Sequence, residues 1–184
     1  SKVIAVLAAR TKDLIILEDQ VREFADEVVI MTDDGSYGTK GLVTNGVENI
    51  INREKVDLCV TIGPAIMMKF VSLLTKKYEV PTIASLNTIM VDGTGMCGAC
   101  RVTVGGKTKF VCIDGPEFDG ALVDWDEMFK RMGTFKKAEQ EEMQHYADHV
   151  YADVEAKNNE GGKNVEAADA APVDDSIEVL TDRN

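Results

Sequence analysis

Short apolar runs alternate with helical patterns along the first half of the chain. The sequence VIAVLAA at 3–9 has the length and composition of a strand that is covered on both faces. Three further strand-like runs follow: EVVIMT at 27–32, VDLCVTIG at 56–63 and TIASLNTIM at 82–90. Apolar residues at helical spacing lie between the strands, over about 11–25, over 41–53 and after Pro64. The alternation predicts an α/β fold in which crossover helices connect the strands of a parallel sheet.

The pattern changes after Gly120. Asp124 and Glu127 have the spacing of a capping box, which predicts the start of a helix that Gly133 interrupts. A second, charged helix is predicted from about 135 to 155, followed by an acidic segment with few aromatic residues. We therefore divide the chain into an α/β domain at 1–90, a cysteine loop and hairpin at 91–120, a helical extension at 121–156 and a disordered acidic tail at 157–184.

Composition narrows the classes of function. With 184 residues and 45% apolar content, the chain can bury one sizeable core. The formal net charge of −12 argues against binding to nucleic acid, since affinity for phosphates needs clustered Lys and Arg. No apolar run is long enough for a membrane span, and no basic n-region followed by an apolar stretch indicates a signal peptide. Four cysteines without an export signal indicate metal or redox use in the reducing cytoplasm. The opening Ser1 suggests that the sequence begins inside a longer polypeptide.

Three of the four cysteines lie close together in the sequence MVDGTGMCGACRVTVGGKTKFVCIDG at 90–115. Cys97 and Cys100 form a C-x2-C pair on a glycine-rich loop, and Cys112 follows a segment typical of a short hairpin. Such a pair with a third, returning Cys is a metal-ligand arrangement. In the plant-type [2Fe-2S] spacing, the remaining ligand lies five positions before the pair. That position holds Asp92.

Two kinds of metal site compete for this spacing. Structural zinc is the commoner one, with Cys59 or Asp92 as the fourth ligand. Structural zinc usually uses two C-x2-C-like pairs, however, whereas one pair, one distant Cys and Asp92 in register favour [2Fe-2S]. Asp92 is also a typical turn former before Gly93, and Cys59 lies mid-strand, where a free Cys behaves as a small buried hydrophobe. We expect Asp92 to be the fourth ligand.

Loops at the carboxyl ends of the predicted strands are candidates for nucleotide binding, because ligands of open α/β sheets bind there. Arg10 and Thr11 can hold an adenosine end, and Gly63 with the helix from Pro64 offers N–H groups to a phosphate or a nicotinamide amide. No G-x-G-x-x-G is present, so these residues are ordinary loop residues in the plainer interpretation. The full set of candidates is Arg10, Thr11, Asp34, Gly35, Ser36, Gly63, Pro64 and Met67.

Several of these segments resemble one family. They are AARTKDLIILED at 8–19, TDDGSYGTKG at 32–41, GPAIMM at 63–68, SLNTIMVDGTGMCGACRVTVGG at 85–106 and VCIDGPEFDG at 111–120. The chain resembles the C-terminal part of flavin- and NAD-binding subunits of the ferredoxin reductase superfamily. It is most similar to the small (alpha) subunit of NADH-dependent reduced ferredoxin:NADP oxidoreductase, which is also described as sulfide dehydrogenase-like.

The resemblance implies more than the spacing does. It implies a Rossmann-like NAD(P)-binding domain that lacks its first βα unit, FAD in an N-terminal barrel before Ser1, and a [2Fe-2S] cluster on Asp92, Cys97, Cys100 and Cys112. The implied partner is a large flavin and iron–sulfur (beta) subunit that is glutamate synthase-like, with ferredoxin reached indirectly. No catalytic acid or base is implied within this chain. As a fragment, it is expected to be inactive on its own.

Two other functions stay open at this point. The electron-transfer subunit of dihydroorotate dehydrogenase is a more distant relative with a different partner, and it more usually carries Cys at the position of Asp92. A zinc-stabilised binding module without redox activity is the alternative from outside the enzyme classes.

Overall fold

The structure is a computed structural model that describes residues 1–160. Residues 1–134 form one compact unit, and a second unit begins at Phe135. Most of the predicted tail, residues 161–184, lies outside the described residues.

The first sheet contains two of the predicted strands. Strand β1 (Ile4–Ala9) pairs in parallel with β2 (Glu27–Thr32), and β2 pairs in parallel with the short β3 (Thr39–Lys40). The register places Ile4 opposite Glu27 and Ala9 opposite Thr32, so both strands end at the same edge. The predicted strand at 27–32 is confirmed with its boundaries.

The second sheet contains the other two predicted strands. Strand β4 (Cys59–Ile62) pairs in parallel with β5 (Thr82–Ser85), and β5 pairs antiparallel with β8 (Glu117–Asp119). The sequence predicts a single parallel sheet, whereas the strands form separate three-stranded sheets with orders β1-β2-β3 and β4-β5-β8. Among the described strands, β1 therefore pairs only with β2, and β4 pairs only with β5.

The prediction of a strand over 82–90 is wrong at its end. Strand β5 stops at Ser85, which is opposite Ile62 in β4 and Glu117 in β8. Both partner strands run out at this point, so residues after Leu86 have no ladder to join. The cysteine loop begins several residues beyond the sheet rather than directly at a strand end.

The single helix predicted over 11–25 is also wrong. A 3-10 turn at Lys12–Leu14 is followed by helix α1 (Glu18–Phe24), with Leu17 between them in the left-handed region at φ 59°. This break prevents one continuous apolar face, and the side chains of Leu14, Leu17 and Phe24 are exposed.

Two longer helices pack on the sheets. Helix α2 (Val43–Arg53) contacts β1 and β2, helix α3 (Ala65–Lys77) contacts β4 and β5, and the two helices contact each other. Gly46 lets α2 approach the first sheet, since a Cβ there would lie 3.1 Å from the Met31 Cγ. Pro64 is the N-cap of α3 and directly precedes Ala65, the first helical residue.

A hairpin and two helices complete the first unit. Strands β6 (Arg101–Val104) and β7 (Lys107–Phe110) form the hairpin, α4 (Val111–Asp114) follows it, and α5 (Trp125–Met132) comes after β8. The Asp124 carboxylate accepts a hydrogen bond from the Glu127 N–H at 3.0 Å, which confirms the predicted helix start.

One hydrophobic core joins the second sheet to the hairpin and to α5. Its buried members are Ala65, Met68, Ala84, Leu86, Cys100, Val102, Val111, Phe118, Val123, Trp125 and Met128. The cysteine loop is thus anchored on the core through Cys100.

The second unit is described by helix α6 (Lys136–Glu160). The helix continues beyond the predicted end near 155, so residues 157–160, which were expected to begin a disordered tail, are helical. Among the described residues, no helix is both long and apolar enough to cross a membrane.

Replacing Met128 by Ala tests whether this core determines stability. Met128 is 1% exposed, and removing its side chain is expected to cost about 2–5 kcal/mol of unfolding free energy. Met143, which is 55% exposed in α6, is the matched control, and Met143→Ala is expected to change stability by less than about 0.5 kcal/mol. Urea unfolding measures both variants, and equal costs would contradict the assigned core.

Candidate functional site

The hairpin brings two of the predicted ligands together. Cys100 comes directly before β6, and Cys112 lies in α4 just after β7. The register places Arg101 opposite Phe110, and the Val111 N–H donates to the Cys100 carbonyl at 3.2 Å. The two sulfur atoms are consequently 3.2 Å apart.

This sulfur pair has a geometry that a metal ion can use. The separation is well above the length of about 2.05 Å for a disulfide bond, and both cysteines are free. Two thiolates on one tetrahedral metal with bonds of about 2.3 Å lie roughly 3.8 Å apart. A small outward movement of the two sulfurs, which are now 3.2 Å apart, would therefore admit a metal ion.

The two cysteines of this pair are unequally buried, and one affects the pKa of the other. Cys100 is 3% exposed within the core, and Cys112 packs against that core while partly open. The neighbouring Cys100 raises the pKa of the Cys112 thiol, and the backbone N–H of Gly95 acts in the opposite direction on the same pKa. A metal ion would bind both sulfurs as thiolates.

The other two predicted ligands, Asp92 and Cys97, form an exposed pair. The Asp92 carboxylate accepts hydrogen bonds from the Thr94 N–H at 2.9 Å and the Cys97 N–H at 2.8 Å. The hydrogen bond from Thr94 has the largest effect on the pKa of the Asp92 carboxyl and lowers it, and the bond from Cys97 lowers it further. Asp92 therefore forms the turn that its sequence context favours, while each oxygen keeps a second lone pair for another partner.

The loop between these pairs folds over Cys112. The backbone N–H of Gly95 lowers the pKa of the Cys112 thiol and the Asp92 charge raises it, so both groups lie near this cysteine. Gly95 has φ +82°, and a Cβ there would lie 2.6 Å from the Ile113 Cδ1. Only glycine permits this conformation at this proximity.

The donor set fits a soft metal centre, although its four members are not yet gathered around one point. Three thiols and one carboxylate suit iron or zinc. Within residues 1–160, no three His, Cys, Asp or Glu side chains converge closely enough to hold a metal ion. We call Cys100 and Cys112 the inner pair and Asp92 and Cys97 the outer pair. The inner sulfurs are 3.2 Å apart, whereas Asp92 of the outer pair accepts hydrogen bonds from backbone N–H groups.

Cys59, the alternative zinc ligand, lies in a different environment. It is in β4 opposite Thr82, where burial raises the pKa of its thiol and a hydrogen bond with Thr82 lowers it. Cys59 is only partly buried and is not a member of the main core, so the expectation of a small buried hydrophobe is met only in part.

Two of the predicted nucleotide loops lie together beyond the first sheet. The Lys12 N–H donates to the Ser36 hydroxyl at 2.8 Å, and the Asp34 N–H donates to the Arg10 carbonyl at 3.2 Å. The Ser36 hydroxyl and N–H both donate to Asp34, and they lower the pKa of that carboxyl. Thr11 and Gly35 belong to the same pair of loops.

The remaining predicted nucleotide residues lie at the end of β4. Gly63 has φ +149°, and a Cβ on it would lie 2.6 Å from the Met67 Cε. The Met67 sulfur accepts a hydrogen bond from the Thr61 hydroxyl at 3.4 Å, and Met67 packs on the core. Met67 thus supports the loop from below, while Gly63 and Pro64 form its rim.

Two arginines contact the ligand loop, the segment at 92–100 that carries Asp92, Cys97 and Cys100. Neither arginine has a spacing in the sequence that singles it out. The Arg101 guanidinium donates to the Gly98 carbonyl at 3.2 Å. The Arg131 guanidinium, from the last turn of α5, donates to the Ala99 carbonyl at 3.1 Å. The sequence indicates only one thing about Arg131: the helix start predicted at Asp124 places this residue about two turns into a helix.

Comparisons with known proteins point to the same segment of the chain. Residues 87–124 match the family described as the iron–sulfur cluster binding domain of dihydroorotate dehydrogenase B. The match includes all four predicted ligands.

Two relatives extend the similarity over most of the first unit. A homologue of the dihydroorotate dehydrogenase B (NAD(+)) electron transfer subunit from Thermotoga maritima is 52% identical over 139 residues, which are 76% of this chain and 49% of the relative. A probable subunit of the same kind from Methanocaldococcus jannaschii is 37% identical over 74% of this chain and 51% of the relative. The chain is therefore similar to about half of each of these electron transfer subunits.

A solved structure shares the fold. A chain in a structure of NADH-dependent reduced ferredoxin-NADP oxidoreductase, from a study of flavin-based electron bifurcation, superimposes with a TM-score of 0.71 and 47% identity. It covers 79% of this chain and 52% of that chain. The recognition made from the sequence motifs is thereby confirmed. The chain spans about half the length of the relatives that it matches.

Gly95 offers a test of the loop with a matched control. Gly95→Ala adds a Cβ against Ile113 at a positive φ, whereas Gly106→Ala has a similar φ of +73° and open space around the added atom. Both variants bear about 1–2 kcal/mol of backbone strain, but only Gly95→Ala displaces the loop over Cys112. Iron per chain after anaerobic reconstitution is expected to fall in Gly95→Ala and to stay at the wild-type value in Gly106→Ala. Equal iron contents would contradict this assignment.

Proposed function

We propose that this chain is the C-terminal part of a flavin- and NAD(H)-dependent iron–sulfur oxidoreductase subunit, as in the electron-bifurcating NADH-dependent ferredoxin:NADP oxidoreductase. The observation that carries the proposal is the pair of thiols 3.2 Å apart on the core, with a second pair of donors in the loop beside them. The homologous electron transfer subunits support the same role. The cluster would pass single electrons between the flavin and a partner subunit.

We propose that the cluster is of the [2Fe-2S] type and that its ligands divide into two pairs. Cys100 and Cys112 would hold the inner iron, because their sulfurs already meet at the core. Asp92 and Cys97 would hold the outer iron, because one hydrogen bond already joins them at the exposed end of the loop. A carboxylate is a harder ligand than a thiolate, so the two irons would differ electronically.

The chain's own contribution is to hold and tune this group. Backbone N–H groups of Gly95 and Ala99 point to the sulfurs of Cys112 and Cys97, with the second contact at 3.4 Å. Such donors stabilise negative charge on ligand sulfur. No acid or base in this chain is needed, because proton transfer is not part of the cluster's work.

We further propose that the loops after β1, β2 and β4 contribute to an NAD(H) site of the Rossmann-like kind. Arg10, Thr11 and the segment at 34–36 would take the adenosine end, and the rim formed by Gly63 and Pro64 would take the nicotinamide end, with Met67 beneath it. These loops follow the carboxyl ends of parallel strands, where such ligands bind. FAD is proposed as the second cofactor of the complete subunit, as the family resemblance implies.

A partner subunit is proposed to cover the outer side of the cluster loop. The exposed apolar side chains of Val91, Met96 and Ile113 lie within or beside this loop, and Met96 is 87% exposed. Apolar groups next to a redox centre suit a protein interface that excludes water. We propose a large flavin and iron–sulfur subunit, glutamate synthase-like, as the partner, with ferredoxin reached through it in the cytoplasm.

A second candidate, the electron transfer subunit of a dihydroorotate dehydrogenase, is favoured by the names of the relatives. The two candidates share the cluster and differ in the partner. Asp92 favours the first of them, because the sequence motif of the second more usually has Cys there. Copurification of the natural partner distinguishes them, since only the second partner would oxidise dihydroorotate.

The proposed cluster is tested on the protein purified without oxygen. We expect two irons and two acid-labile sulfides per chain, a reddish-brown colour and an EPR signal on reduction. Cys97→Ala is expected to lose most of the iron, while Cys59→Ala, which removes a thiol in β4, is expected to keep it. A colourless protein with one zinc per chain would contradict the proposal and support the zinc-stabilised binding module.

A further inference from the structure

Helix α5 delivers a positive charge to the ligand loop. The Nη2 of Arg131 donates to the carbonyl of Ala99 at 3.1 Å, across 32 residues of sequence. Ala99 lies between Cys97 and Cys100, so this bond fixes the segment that joins the outer ligand pair to the inner one.

The helix that carries Arg131 is held independently of this bond. The Asp124 N–H donates to the Thr103 carbonyl at 2.8 Å, and the Trp125 indole N–H donates to the Gly120 carbonyl at 3.1 Å. Met128 is 1% exposed in the core beneath the helix. Packing therefore places the guanidinium at the loop, and the bond to Ala99 is a consequence of that placement.

One nitrogen of this guanidinium has no hydrogen-bond partner, although its Nη2 is bonded to Ala99. Its Nε is buried and has no hydrogen-bond acceptor among the residues that the structure describes. No carboxylate within residues 1–160 forms an ion pair with Arg131, although the chain has 32 acidic residues and a net charge of −12. An unsatisfied buried donor is destabilising, and more so when it belongs to a charged group. Such an arginine is expected where an anion binds.

We propose that Arg131 is a positioning residue of the cluster site, which orients the Cys97–Cys100 loop and raises the reduction potential of the bound cluster. This inference rests on the proposed cluster and goes beyond its ligands. Reduction adds one negative charge to the cluster, and a fixed, poorly solvated cation nearby stabilises the reduced form more than the oxidised form. Arginine keeps its charge at every relevant pH.

Arg101 provides a comparison within the same loop. It also donates to a loop carbonyl, that of Gly98 at 3.2 Å, but its side chain is exposed to solvent. Water and salt screen an exposed charge, so Arg101 is expected to influence the potential less than Arg131 does.

Three substitutions separate charge from position in the full-length protein. Arg131→Gln removes the charge while it keeps an amide donor, and Arg131→Lys keeps the charge while it loses the planar fork. Lys130→Gln is the matched control, because Lys130 is the exposed neighbour of Arg131 in α5 and loses the same charge. The measurements are iron per chain, the unfolding midpoint and a redox titration followed by EPR.

At an applied potential equal to the wild-type midpoint, the ratio of reduced to oxidised cluster is expected to fall about tenfold in Arg131→Gln. Arg131→Lys and Lys130→Gln are expected to remain within about twofold of the wild type. Loss of iron from Arg131→Gln with an unchanged unfolding midpoint would support the positioning role. In that case, the reduction potential of the Arg131→Lys cluster shows whether the charge also contributes.

Two results would overturn the inference. The first is an Arg131→Gln cluster with wild-type potential and EPR signal. The second is an Arg131→Lys cluster whose potential is lowered as far as that of Arg131→Gln, which would remove charge as the cause. If the wild-type protein itself holds no iron–sulfur cluster, the proposed function fails, and this outcome is distinct from either result.

Discussion

The pairing of β6 with β7 is the constraint on which the site depends. Because Arg101 lies opposite Phe110, the residues flanking the hairpin meet, and the sulfurs of Cys100 and Cys112 come within 3.2 Å. The hairpin is also joined to the segment before α5, where the Gly105 N–H donates to the Leu122 carbonyl at 2.8 Å. A one-residue slip in this register would turn Cys100 out of the core and separate the two thiols.

The core makes the site asymmetric. Cys100 is one of its buried members, while Asp92 and Cys97 are exposed and held by turns of the loop itself. In the proposed cluster, the buried side would be fixed by core packing, and the exposed side would be open to a partner. The exposed apolar side chains of this face are consistent with a surface that a partner covers.

Much of this arrangement was readable from the sequence, and the failures have physical causes. The strand at 27–32 and the start of α5 follow from local apolar pattern and capping, and both are confirmed. The strand ending at Ser85 depends on how far its neighbours extend, which its own apolar residues do not encode. The break at Leu17 results from its left-handed backbone conformation, which the helical spacing of the apolar residues does not indicate. Arg131 reaches the loop only through packing of α5 on the core, so no local spacing identifies it.

The central claim is that Asp92 is the ligand of one iron of a two-iron cluster whose other protein ligands are Cys97, Cys100 and Cys112. Mössbauer spectroscopy of the oxidised, ⁵⁷Fe-reconstituted protein tests it most directly, because a carboxylate oxygen on one iron makes the two ferric sites inequivalent. We expect two quadrupole doublets of equal area in the wild type, and nearly coincident doublets in Asp92→Cys. A single doublet in the wild type, or a pair of doublets unaffected by Asp92→Cys, would contradict the account.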